Sequence, residues 1–197
     1  CPNTDGSGRE QFTVPFDAIG GGTCLAAEGF LPWADLGVDQ ADAWGNRFRY
    51  RVASPAYTLV ETDEFCNGAT THFDLCTTGT FLTVNTRGDN PATTASIEGK
   101  HSFEAAINVP AVILSHGRNG NGATTTNGIV RPAPAGSTDE AENANSNDLF
   151  ITRTYTADSN ACDETVETNP FCAFDDIVKW ISPVILNSRM VTSGRLP

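Results

Sequence analysis

The chain has 197 residues, a length that fits one domain, residues 1–197, with a core of its own. Apolar residues make up 39% and charged residues 18%, with 18 Gly and 11 Pro, a balance of strands and extended loops that excludes an all-helical bundle. Twenty-four acidic against twelve basic residues leave a net charge of −12, which opposes non-specific binding to nucleic acid or anionic headgroups, so no nucleic-acid partner is expected.

Six cysteines fall as Cys1 with Cys24, Cys66 with Cys76, and Cys162 with Cys172. Paired zinc thiolates usually enclose two to four residues, and none of these pairs does, so disulfides in an oxidising compartment are expected. Proximity alone selects the nearest-neighbour connectivity from the roughly fifteen that six cysteines allow. The chain begins at Cys1 rather than Met and carries no apolar run of membrane-spanning length, so an upstream segment carrying the address is expected to have been removed.

In chain order, Cys1 to Gly29 reads as an irregular Gly- and Asp-rich loop tied at both ends. Phe30-Leu31-Pro32-Trp33-Ala34-Asp35-Leu36-Gly37 allows one helical turn that docks aromatic residues. The clearest strand runs from Arg47 to Val52, with Phe48, Tyr50 and Val52 on one face, expected to be core, and Arg47, Arg49 and Arg51 on the other, expected to be wet. Tyr57 to Val60 and Thr80 to Val84 are further strand candidates around a stapled Cys66 to Cys76 loop, and from Arg87 to Ser102 nothing is periodic. Residues 111–115 read as a buried strand, and residues 117–148 as an exposed excursion with a helical turn near Glu140. Leu149 to Tyr155 and Asp176 to Ile181 are strands on either side of the Cys162 to Cys172 loop. Ser182-Pro183 suits a helix start, with Gly194 placed to end it. The expected fold is α+β and mostly β: an antiparallel sheet with long loops, a loop-rich insertion over roughly 60–145, and a short C-terminal helix over 183–192.

Catalytic patterns are weak. His72, His101 and His116 form no ligand-spaced pair and read as surface or turn histidines. Ser115 and His116 are neighbours on a strand and point apart, which places the imidazole poorly for that hydroxyl. The same alternation separates Asp175 from Asp176, leaving a solvated strand start. Gly117-Arg118-Asn119-Gly120-Asn121-Gly122 lacks both the dinucleotide fingerprint and the P-loop ending, and reads as a turn. Asp139, Glu140, Glu142 and Asp148, and separately Asp158, Asp163 and Glu164, offer calcium-type oxygens without EF-hand spacing, and read as solvated loops. No enzyme activity and no required cofactor are expected.

Two stretches carry a family resemblance. Asp42-Ala43-Trp44-Gly45-Asn46-Arg47-Phe48-Arg49-Tyr50 resembles the loop-to-strand signature of type IV pilin-like proteins, including the pseudopilins of type II secretion. Phe174-Asp175-Asp176-Ile177-Val178-Lys179-Trp180-Ile181-Ser182-Pro183, running on to Leu196-Pro197, is similar to the tail of a Gram-negative group of such proteins. In that group Cys1-Pro2, Asp5 to Glu10 and Gly29 to Trp33 would follow directly on a long N-terminal helix. Physically, Gly45 frees the backbone for a tight turn, Asp42 and Asn46 can satisfy turn amides, and Trp44 is expected to pin the turn to the core.

The resemblance implies a sheet packed on a long helix that anchors the subunit in the inner membrane and then lies in a filament core. It also implies a periplasmic or extracellular filament location with other pilin or pseudopilin subunits as partners, and it supplies no catalytic residues. The helix and its cleavage site are absent from these residues. The expected function is that of a structural subunit, a pseudopilin or minor pilin; the alternative is a stand-alone adhesin-like binding module, or a lipoprotein acylated on Cys1. Some major pseudopilins hold calcium in a loop near the C-terminus, which points to Asp158, Asp163 and Glu164 as candidate ligands. The stripe of Arg47, Arg49 and Arg51 reads either as a solvated face or as a contact with an acidic surface of the next subunit.

Overall fold

The computed structural model describes residues 1–14, 23–53, 82–87, 94–98, 109–136, 138–158, 161–164 and 169–192. The elements are β1 (Phe12–Val14), β2 (Thr23–Cys24), β3 (Glu28–Phe30), α1 (Trp33–Leu36), β4 (Arg49–Val52), β5 (Thr83–Arg87), β6 (Thr94–Glu98), β7 (Ala111–Ser115), α2 (Asp139–Ala144), β8 (Leu149–Ile151), β9 (Ile177–Ile181) and α3 (Pro183–Thr192). The expected Tyr57 to Val60 strand, the Cys66–Cys76 pair, His72, His101 and Gly194 lie outside the described residues.

Strand outweighs helix, as the composition requires, and the largest sheet is antiparallel with the order β3-β4-β7-β9. A second sheet has the order β6-β5-β8, and β1 pairs with β2 alone. Two features depart from the sequence reading. The aperiodic stretch after Arg87 contains β6, which pairs antiparallel with β5, and β5 pairs parallel with β8. In β6 it is the partner, not the segment's own periodicity, that makes the strand, and the parallel partner of β5 lies far along the chain. The first 29 residues likewise hold paired strands within what reads as loop.

Cross-strand register decides which face is core. Arg49 stands opposite Leu114, which stands opposite Val178, and Arg51 opposite Val112. Residues directly opposite share a face, so the arginines lie on the same side as buried Val112, Leu114 and Val178, which pack with Leu82, Val84, Val109 and Phe150. Each fully buried side chain of this kind contributes about 1.5–3 kcal/mol. The expectation of a wet arginine face is therefore corrected: alternation separates two faces but does not say which one a second sheet will cover. The opposite face carries buried Val52, Ala111 and Ser115, half-buried Tyr50, Ile113 and Ile181, and exposed Ile177 and Lys179.

Two of the three expected disulfides are present, Cys1–Cys24 with Cα atoms 5.2 Å apart and Cys162–Cys172 with 4.8 Å. Among the described residues no helix is long and apolar enough to cross a membrane.

Candidate functional site

Asp42 begins the turn ahead of β4. Its Oδ1 accepts from the amides of Trp44 (3.0 Å) and Asn46 (2.9 Å), and Gly45 takes the left-handed conformation at φ 83°. Asn46 is buried and donates through Nδ2 to the Gly117 carbonyl at 3.1 Å, tying this turn to the loop after β7. Trp44 does not pin the turn to the core; it is 44% exposed. A shallow groove lined by Leu31, Val38, Ala41 and Phe48 opens there.

The three arginines are engaged inside the fold. Arg47 donates to the carbonyls of Gly6 (3.1 Å), Thr125 (3.3 Å) and Thr126 (3.1 Å), with its guanidinium over the Phe30 ring. Glu28 accepts from Arg49 at 2.6 Å and Arg51 at 2.7 Å, and Arg51 also reaches Asp148 at 2.7 Å. Arg49 further donates to the carbonyls of Asn143 and Asn145 at the end of α2, the orphan acceptors of a helix C-terminus. Burial raises the Glu28 carboxyl, but the two guanidiniums outweigh it and hold the group below its usual value.

The residues proposed from family similarity as calcium ligands do not converge. Glu164 is buried and its carboxylate bonds Arg153 and the Asp139 amide, while Asp158 is exposed. Asp163 is half-buried and also has bonding partners. The Arg153 side chain is only 4% exposed and bridges Glu164 and Asp139, closing a buried ion network beside the Cys162–Cys172 disulfide.

A different set does converge, at one end of the β7 and β9 pair. Ser115 opposes Ile177 in the register, so His116 and Asp176 flank that last pair. Glu140 joins them from α2, whose start is capped by the Thr138 hydroxyl, an acceptor for the Ala141 amide at 3.1 Å. Glu140, Asp175 and Asp176 each place a carboxylate oxygen within 4.8 Å of the others. Asn119 Nδ2 donates to both Glu140 oxygens (2.8 and 3.0 Å), Asn121 Nδ2 to one (3.0 Å), and the Asp175 amide to one (3.0 Å). Asp175 Oδ2 accepts from the Asn119 amide at 2.9 Å, and Asp176 Oδ2 from Asn143 Nδ2 at 2.9 Å. Asp175 Oδ1, Asp176 Oδ1 and His116 Nδ1 are buried with no hydrogen-bond partner.

Close approach makes this packing possible. A Cβ on Gly117, whose φ is +58°, would fall 2.3 Å from the Asp175 carbonyl oxygen, so only glycine permits the loop to lie there. Burial pushes the Asp176 carboxyl well above its usual value, and the charges of Glu140 and Asp175 add to the effect against the Asn143 hydrogen bond. Burial, with the charge of Arg49, pushes the His116 imidazole down to about 4.

Three sequence expectations fail here. Asp139, Glu140 and Glu164, read as acids of solvated loops, are each only 2% exposed. His116 is 1% exposed rather than a surface histidine, and Asp175 and Asp176 precede β9 instead of alternating within it, so they can face the same region. Ser115 does not engage His116; its hydroxyl donates to Asp42 at 2.6 Å. Glu140 was visible only as one acid among several in a loop, and nothing in the sequence joins it to residues 35 positions later.

No protein-family model, curated protein or solved structure matches the chain.

Proposed function

We propose that the chain is the exported globular part of a pilin-like structural subunit, a pseudopilin or minor pilin of a type IV pilus or type II secretion filament. The observation that carries the reading is the β3-β4-β7-β9 sheet, entered through the Asp42 turn of the family signature, with one face sealed and apolar Ile113, Ile177 and Ile181 on the other. That second face is where the long N-terminal helix of such subunits would lie, held in the inner membrane before assembly. The local disulfides suit a periplasmic or extracellular location. In this reading the chain has no catalytic role and its partners are neighbouring subunits. Cys1 is bonded to Cys24 and has no thiol to carry a lipid, which favours the subunit over the lipoprotein alternative.

The test uses the full-length gene in its own host, with a photo-crosslinking residue at Ile177. Crosslinks to the subunit's own N-terminal segment or to other pilin-like subunits, in sheared surface or membrane fractions, are expected. Recovery as a free periplasmic monomer, with piliation and secretion unchanged on deletion of the gene, would overturn the reading.

A further inference from the structure

Three carboxylates gathered in a protein interior repel one another unless protons, donors or a cation compensate them. Glu140 is compensated by the Asn119, Asn121 and Asp175 donors, but Asp175 Oδ1 and Asp176 Oδ1 are not. His116 is an independent observation. It follows the opposite strand, its side chain is 2% exposed, and its unpartnered Nδ1 faces Asp176 Oδ1 at 3.8 Å, where the Asp176 side chain is 0% exposed. That gap is too long for a hydrogen bond. It suits two ligands of one ion, since bonds of about 2.0–2.2 Å on each side span up to about 4.4 Å.

We propose that Glu140, Asp175 and Asp176, whose carboxylate oxygens converge within 4.8 Å, hold a single divalent transition ion of the zinc or manganese kind, with His116 reaching it from the Asp176 side. An imidazole nitrogen among carboxylates is the donor set of such ions, whereas calcium takes oxygen alone and would leave His116 Nδ1 unpaired. Asn119, Asn121 and Asn143 act as the outer partners that orient the carboxylates. Seated there, the ion joins α2 to the ends of β7 and β9 and pairs atoms that have no hydrogen-bond partner, Asp175 Oδ1, Asp176 Oδ1 and His116 Nδ1. The inference stands on the cluster alone and does not depend on the pilin-like reading.

The test takes the purified chain with its disulfides intact, strips it with chelator, and titrates it separately with ZnCl2, MnCl2 and CaCl2 by calorimetry and thermal melting. One Zn2+ per chain, a raised melting midpoint and calcium binding at least about tenfold weaker are expected. His116→Gln and Asp175→Asn should each weaken Zn2+ binding by more than the roughly 10–100-fold that a lost outer partner costs. Asp158→Asn, at an exposed acid, should bind as the parent does. Circular dichroism of the metal-free variants establishes that they are folded. Should His116→Gln not fold, a zinc-dependent shift of a single histidine ring in the parent's NMR spectrum supports the assignment, and no shift overturns it. Absence of stoichiometric Zn2+ or Mn2+ binding, unchanged binding by folded His116→Gln, or calcium binding as tight as zinc would each sink the proposal.

Discussion

Along β3 and β4 the half-buried charges are matched: Glu28 and Asp148 meet Arg49 and Arg51, and the spare guanidinium donors reach carbonyls at the end of α2. At the far end of β7 and β9, on the same sheet, three acids converge and two of their oxygens, with one imidazole nitrogen, have no partner. The first region is half-buried and satisfies its charges with its own chain, whereas the second, more deeply buried, does not. A fold under selection for stability alone gains nothing by leaving such groups unpaired. The contrast marks the matched region as scaffold and the unmatched one as the place where something external completes the structure.

The comparison sharpens most at Arg153, the most deeply matched cation. Arg153→Met removes the guanidinium shared by Asp139 and Glu164, whose side chains are 2% and 0% exposed, and should destabilise the fold by about 3–5 kcal/mol in denaturant titrations with disulfides intact. Glu28→Gln removes the shared partner of two arginines and should cost about 2 kcal/mol at neutral pH.

The same variant has a pH signature. Because the folded Glu28 carboxyl lies below its ordinary value of 4.5, its stabilisation is present above that pH and is lost as pH falls through the lower folded value. Melting curves of Glu28→Gln should therefore lose part of the decline below pH 4.5; an unchanged acid limb would show that the matched region is not held by this charge.

Smaller effects test the turn and the unmatched end. Asp42→Ala loses the bonds to the Trp44 and Asn46 amides and from Ser115, and should cost about 1–2 kcal/mol in the same titration. Asp176→Asn in metal-free protein should move stability by less than about 1 kcal/mol, toward greater stability, because burial already disfavours the charged carboxylate there and the amide keeps the side chain's shape. A loss of several kcal/mol there would break the contrast and make the cluster scaffold like the arginines.

Local chemistry was legible in the sequence because it depends on neighbours in the chain. The strand at Arg49–Val52, the strand at Ala111–Ser115, the helix beginning at Pro183, the single turn at Trp33 and the Asp42 turn all follow from alternation, capping or turn residues within a few positions. The Cys1–Cys24 and Cys162–Cys172 pairs follow from proximity. Which face of β4 is core was not legible, since a sheet face becomes interior only when another layer covers it, here Val84 and Phe150 from distant strands. The parallel pairing of Thr83–Arg87 with Leu149–Ile151 was hidden for the same reason. So was the cluster: Glu140, His116, Asp175 and Asp176 come from three separate segments, and only the packing of α2 and the β7–β9 register brings their charges close enough to interact.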